Sequence, residues 1–209
     1  TAYFTPFFES LYGVNPNLNI GVDAIFRGVS QRPKPESALD VFNPFTGADH
    51  KRYGVSYIGP KVKFNIPWYR RIAYESTLYI PIWDDPTGSE HPSSLFLDWD
   101  QFQWWNQFFY DITTDKTQLF AEFDVFVRFD FDGENDEAVQ TPVKLYYSYF
   151  PNEKLSFYAM SEFFPSWNSE IMINSYFLQS GLGAKYAFSS RFQIELLATE
   201  FWLGKNSGR

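Results

Sequence analysis

Polar and apolar side chains alternate at every second position over long stretches of this sequence. From 118 to 132 the odd positions form one wholly apolar row: Leu119, Ala121, Phe123, Val125, Val127, Phe129 and Phe131. Charged and amide side chains hold most of the even positions. A period of two places successive side chains on opposite faces of an extended strand, whereas a helix shows apolar residues at i, i+3, i+4 and i+7. Long windows of the helical kind are hard to find, so the sequence predicts an all-β fold.

Ten strands are predicted from this period, and their connections alternate in length. The strands are 2–14, 18–31, 52–66, 71–83, 102–113, 118–132, 139–150, 155–166, 175–188 and 192–205. Tight turns lie at 15–17, 67–70, 114–116, 151–154 and 189–191, and longer connections at 32–51, 84–101, 133–138 and 167–174. Strict alternation of short and long connections is typical of an up-and-down antiparallel transmembrane β-barrel.

Aromatic side chains favour the membrane form of such a barrel over a soluble barrel or sandwich. Alternation alone does not choose between them, because a soluble sheet also has one apolar face. Tyr and Trp, however, gather beside the predicted turns and loops, as in the aromatic girdles at membrane interfaces. The interfacial positions predicted here are Tyr12, Trp68, Tyr69, Tyr110, Tyr149, Tyr186 and Trp202.

Length and composition exclude several other classes of protein. The chain has 209 residues, which suits a single domain, and its 22% aromatic content stands beside 20% charged residues. No window holds 18 consecutive apolar residues, so no transmembrane helix is predicted. A net charge of -8 argues against binding to nucleic acid, which needs clustered Lys and Arg. The absence of Cys removes disulfides and thiolate metal sites.

Four segments repeat one pattern, in which a Tyr leads through a short polar turn into an alternating strand: YGVNPNLNIGV, YDITTDKTQLFAEF, YFPNEKLSFYA and YAFSSRFQIEL. They resemble the periplasmic hairpins of Gram-negative outer-membrane β-barrel proteins, and the Asn- and Lys-containing turns with abundant Phe and Tyr are similar to those of Bacteroidota. The resemblance covers nearly the whole chain, is architectural, and carries over no functional residues. It implies a bacterial outer-membrane location and contact with outer-membrane lipids, including lipopolysaccharide.

The same resemblance bears on the number of strands. Barrels of this kind keep both chain ends in the periplasm, whereas a periplasmic turn at 15–17 places both ends of this sequence outside. We therefore expect a single barrel domain over 1–209 that lacks one strand at each end of a 12-stranded parent. A complete ten-stranded barrel with inverted termini, or a misassigned first strand, is the competing interpretation.

Charged side chains on the polar faces would point into the lumen of such a barrel. Acids and bases are nearly balanced among them, which favours paired networks that close the lumen over a channel with a strong charge preference. The predicted network comprises Asp23, Arg27, Lys61, Lys63, Glu75, Asp111, Glu122, Asp124, Arg128, Lys144, Glu162, Lys185 and Glu195.

Other chemistry is weakly indicated. His50 and His91 both fall in predicted loops, where a solvated histidine is a better interpretation than a catalytic base. Asp130, Asp132 and Asp136 offer oxygen ligands to Ca²⁺ in an acidic loop, although the Gly position departs from the EF-hand pattern. Trp99 and Trp105 are weak candidates for sugar binding. No cofactor and no catalytic residue is predicted.

The interpretation favoured by these patterns is a non-enzymatic barrel with a largely filled lumen. It would act as a structural or accessory subunit of an envelope assembly and would contact other envelope proteins. A narrow diffusion channel for small solutes is the alternative, and an outer-membrane lipid or peptide hydrolase comes third.

Overall fold

The computed structural model of the chain describes residues 2–31, 50–69, 71–88, 95–129, 138–167, 172–189 and 192–205. Within them the chain forms twelve β-strands: β1 (Ala2–Phe4), β2 (Phe7–Asn15), β3 (Leu18–Gln31), β4 (His50–Asn65), β5 (Ile72–Pro81), β6 (Phe102–Thr113), β7 (Thr117–Phe129), β8 (Ala138–Gln140), β9 (Val143–Asn152), β10 (Leu155–Trp167), β11 (Ile173–Ser189) and β12 (Phe192–Lys205). The described residues contain no helix that is long and apolar enough to cross a membrane.

The strands form one antiparallel sheet in sequence order, as the alternating pattern predicts. The order is β1-β3-β4-β5-β6-β7-β8-β10-β11-β12, with β2 also beside β3 and β9 also between β7 and β10. Long unbroken registers join neighbours, for example Leu155↔Tyr186 through Ser166↔Ser175 between β10 and β11. The predictions of an all-β fold and of antiparallel neighbours in chain order are therefore confirmed.

Two prolines explain why ten predicted strands become twelve. The predicted strand 2–14 divides into β1 and β2 around Pro6, and the predicted strand 139–150 divides into β8 and β9 around Pro142. Proline has no backbone N–H and therefore interrupts the hydrogen-bond ladder. The carbonyl group of each proline still accepts a backbone hydrogen bond: Phe26 N donates to Pro6 O at 3.0 Å, and Asp124 N donates to Pro142 O at 2.9 Å. The other eight strands lie within three residues of their predicted bounds.

Polar side chains close the short turns and thereby fix the strand registers. Asn15 Oδ1 accepts from the backbone N of Asn17 at 2.9 Å. Asn152 Oδ1 accepts from the backbone N of Lys154 at 2.9 Å and of Leu155 at 3.0 Å. Side chains of this type mimic a backbone turn. Since a slip of one residue would exchange the two faces of a strand, these turns also decide which side chains share a face.

The chain comprises two compact units. Of the described residues, the first contains those within Thr1–Val62 and Thr77–Gln103, and the second contains those within Lys63–Ser76, Trp104–Phe129 and Asp136–Arg209. In the first unit a small hydrophobic cluster forms from Val29, Leu95 and Leu97, against which Trp83 packs.

Burial is inverted relative to a soluble sheet. We call the side of each strand that carries the charged and amide side chains the polar face, and the opposite side the apolar face. Along β9 the polar-face residues Lys144 and Ser148 are half-buried, while Leu145 and Tyr147 on the apolar face are exposed. β2 and β12, at the two edges of the strand order, are exposed on both faces. The polar face is therefore the shielded one.

Candidate functional site on the polar face

A buried cluster of charges lies on the polar face of the first unit. Asp23 is completely buried, and its Oδ2 accepts from Thr77 Oγ1 at 3.2 Å and from Tyr79 OH at 3.0 Å. Lys61 Nζ lies 3.0 Å from the same oxygen and also pairs with Glu9. Thr77 and Tyr79 reach Asp23 because they share a face of β5, two residues apart. The cluster satisfies charges that would otherwise be costly away from water.

Part of the long connection after β5 packs onto β3 and β4 in the same unit. Arg52 Nη1 donates to the carbonyl of Leu95 at 2.6 Å, and Arg27 Nε lies 2.9 Å from Asp98 Oδ2. Tyr57 donates through its hydroxyl to the carbonyl of Trp99. Residues 95–99 are thus held by three polar side chains of the strands, and this segment covers that part of the polar face.

In the second unit the polar face carries separate ion pairs. Lys63 Nζ lies 3.0 Å from Glu75 Oε2 and 5.5 Å from the centre of the Phe109 ring. Lys185 Nζ lies 3.9 Å from Glu195 Oε2. Glu195 also accepts from the Tyr158 hydroxyl.

Further charged residues of the predicted network lie on this face of the second unit. Asp111 accepts from Thr113 Oγ1 at 2.7 Å and from Gln118 Nε2 at 2.6 Å. Lys144 Nζ lies 2.7 Å from Glu122 Oε1 and 3.5 Å from Asp124 Oδ2. Glu162 is buried and accepts from the Gln179 amide, and Arg128 is half-buried.

A cavity of about 660 Å³ lies within the second unit, between β8, β10, β11 and β12. Aromatic rings form much of its lining: Phe164 stacks on Phe177 with ring centres 4.9 Å apart, Phe201 meets Phe177 edge-on at 5.4 Å, and Tyr176 also lines the cavity. Ser166, Ser175, Thr199 and Gln140 add hydroxyl and amide groups to the lining. A cavity with an aromatic wall and several polar groups has the composition of a small-molecule site.

The aromatic residues that the sequence assigns to membrane interfaces lie on the apolar face of the strands or, for Trp68 and Tyr69, in the turn between β4 and β5. All seven side chains are exposed: Tyr12, Trp68, Tyr69, Tyr110, Tyr149, Tyr186 and Trp202. Tyr12, Trp68, Tyr69 and Tyr149 lie in or near the short turns.

Asn106 is a polar residue on the apolar face of β6. Asn106 is buried although its neighbours Trp104 and Phe108 are exposed, and its Oδ1 accepts from Tyr74 OH at 2.6 Å and from Ser76 Oγ at 3.0 Å. These contacts give hydrogen-bond partners to polar side chains on the apolar face.

The remaining sequence candidates do not assemble into a site among the described residues. His50 is the exposed first residue of β4, whereas His91, Asp130, Asp132 and Asp136 lie outside the described residues. Within the described ranges, no group of three or more His, Cys, Asp or Glu side chains could hold a metal ion. Trp105 packs edge-on against Phe126, with ring centres 6.1 Å apart, and Trp99 is exposed.

Sequence reasoning missed the contacts of four residues in these clusters: Thr77, Tyr79, Asp98 and Asn106. Thr77 and Tyr79 share the parity of Glu75, so alternation places them on the polar face, but it does not show that both bind Asp23. Asp98 belongs to a long connection without periodicity, and no local signal could have placed it against Arg27. Asn106 has the parity of apolar residues, and only its amide chemistry hints at a partner.

Comparisons with known proteins give a likeness of fold. No family model matches the chain, and no curated protein matches it. Among solved structures, an outer membrane channel from Pseudomonas putida F1 is similar, with a TM-score of 0.62 and 14% sequence identity over 98% of this chain and 77% of that chain. At this identity the similarity shows that the two chains share a fold.

Proposed function

We propose that this chain is an outer-membrane β-barrel that forms a narrow conduit for small solutes. The inverted burial is the observation that carries the proposal. Charged side chains such as Asp23, Lys61 and Asp124 are buried, while large apolar side chains such as Leu182 and Leu196 are exposed. Water would leave such an apolar face unstable, whereas lipid would solvate it, and the polar face would then line a lumen.

Several features support a conduit in particular. The long strands have 9–17 residues, which reaches or exceeds the roughly 9–11 that a tilted membrane strand needs. The cavity beside Phe164, Phe177 and Phe201 provides room on the polar face. The similar solved structure is itself described as an outer membrane channel. An exposed apolar face also favours contact with outer-membrane lipids, including lipopolysaccharide.

A closed barrel is the second candidate, acting as a structural or accessory subunit that binds other envelope proteins. The ion pairs of the polar face and the segment 95–99 held by Arg27, Arg52 and Tyr57 favour it, because both fill space between strands. A hydrolase is a weaker hypothesis, since the one described histidine, His50, lies exposed at a strand start.

Single-channel recording of the purified, refolded protein in planar lipid bilayers distinguishes the two candidates. We expect steady unitary currents. We also expect Ser175→Trp to lower the unitary conductance, because the indole ring would occupy the cavity. Leu182→Trp, on the apolar face of the same strand, is the matched control and should leave conductance unchanged. Folded, inserted protein without current would reject the conduit and support the closed subunit.

A further inference from the structure

A row of polar side chains crosses five neighbouring strands of the second unit. Glu122 on β7 is directly opposite Lys144 on β9, Lys144 is opposite Glu162 on β10, and Glu162 is opposite Gln179 on β11. On the other side, Gln107 of β6 donates to Glu122 at 3.3 Å. Asp124 lies two residues from Glu122 on the same face. We call these six residues the carboxyl belt: Gln107, Glu122, Asp124, Lys144, Glu162 and Gln179.

The belt has more acids than bases. Lys144 is its single basic side chain, and its ammonium group pairs with Glu122 and Asp124. Glu162 has a different neighbour, because its carboxyl group accepts from the Gln179 amide. The belt therefore holds three carboxyl groups and one ammonium group, and the two amides at its ends add carbonyl oxygens that can also face a cation.

Asp124 is the residue of the belt whose carboxyl group is least satisfied. It is completely buried, and neither carboxyl oxygen has a hydrogen-bond partner of good geometry among the described residues. Its polar interactions are with Glu122, Lys144 and the Trp105 side chain. Buried carboxyl oxygens are normally hydrogen-bonded, so this group retains the capacity to attract a cation.

The cavity lies directly beside the belt. Along β10 and β11 the belt pair Glu162↔Gln179 is followed by Phe164↔Phe177 and then by Ser166↔Ser175, on the same face. The last two pairs line the cavity of about 660 Å³. A small solute in the cavity would therefore be one residue pair away from the belt.

We propose that the carboxyl belt makes the conduit prefer small monovalent cations over anions. This inference rests on the function proposed above and adds the class of solute. Rings of Asp and Glu select cations in channels, and conduction requires that each site bind weakly enough to release the ion.

The test is the reversal potential of the full chain in planar bilayers under a KCl gradient. We expect K⁺ to be more permeant than Cl⁻, and the double variant Asp124→Asn, Glu162→Gln to lower the permeability ratio by about fivefold for each charge that acts on the ion. Lys144→Gln should raise the ratio. Glu153→Gln, the same change in an exposed short turn, should leave the ratio unaltered.

The possible failures are distinguishable. Steady currents with no cation preference, or a preference that the double variant leaves unchanged, would overturn the belt inference and leave the conduit standing. Folded protein without any current would overturn the conduit and with it the role of the belt. If the double variant does not fold, Glu162→Gln alone serves, because its carboxyl group is held by an amide rather than by an ion pair. An unchanged permeability ratio in the Glu162→Gln variant would likewise contradict the inference.

Discussion

Lys61 shows how single charges are accommodated on the polar face. Its side chain is almost wholly buried, its ammonium group pairs with Asp23 and Glu9, and it lies 5.6 Å from the centre of the Phe7 ring. Asp23 in turn accepts from Thr77 and Tyr79. Buried ions are tolerated when each has partners of opposite charge or hydrogen-bond donors. The cation at Lys61 is therefore a structural requirement of the surrounding carboxyl groups.

Removing that cation should be costly. We expect Lys61→Met to lower the free energy of unfolding by about 3–5 kcal/mol, because it leaves the Asp23 carboxyl group buried without its ammonium partner. Lys185→Met is the control, since its 3.9 Å pair with Glu195 is half-exposed and should contribute about 0–1 kcal/mol. Urea unfolding of the protein folded into lipid vesicles measures both. Equal losses in the two variants would contradict the assigned burial of Lys61.

At the level of the strand, the apolar face should respond to charge according to depth. Leu182 lies at the middle of β11 and is 72% exposed, whereas Phe188 is exposed near its end. In a membrane, Leu182→Arg should lower the free energy of unfolding by about 2–4 kcal/mol and Phe188→Arg by about 0–1 kcal/mol. In water, both exposed substitutions should change it by less than about 0.5 kcal/mol. Unfolding titrations in vesicles distinguish these outcomes.

The strands were predictable from sequence because their two signals are local. Side-chain alternation depends on adjacent residues. The turn at Asn152 depends on its own side chain, which accepts hydrogen bonds from the backbone of Lys154 and Leu155, two and three residues further along. The interruptions at Pro6 and Pro142 were missed although the missing N–H of proline is itself a local feature. Side-chain alternation continues across each proline, so it does not show whether the strand ends there or continues without the hydrogen bond that proline cannot donate.

The candidate site was only partly predictable, since alternation gives a face and not a partner. It placed Glu122, Lys144 and Glu162 on one face, but their direct opposition depends on the registers between three strands. The contact of Asp98 with Arg27 joins residues 71 positions apart, and Asp98 lies in a long connection that has no side-chain periodicity. Such contacts arise from the packing of the folded chain, which no local pattern encodes.

Considered as a whole, the molecule repeats the same inversion in each of its two units. In the first unit Asp23 and Lys61 are buried while Val22 is exposed, and in the second Asp124 is buried while Leu145 is exposed. A soluble protein buries its large apolar side chains and seldom buries charges. Because the inverted burial occurs in both units, a local irregularity does not explain it. The inversion supports a lipid environment for the apolar faces.

The most direct test of this account is the accessibility of alternate positions along β9. The chain contains no Cys, so single cysteines can be placed at each position from 143 to 149 and labelled with a fluorophore in lipid vesicles. We expect a period of two: nitroxide-labelled lipids should quench labels at Leu145 and Tyr147, and a water-soluble quencher should reach those at Lys144 and Ser148. Quenching by the aqueous reagent at Leu145 and Tyr147, or no quenching by lipid at any position, would contradict the account.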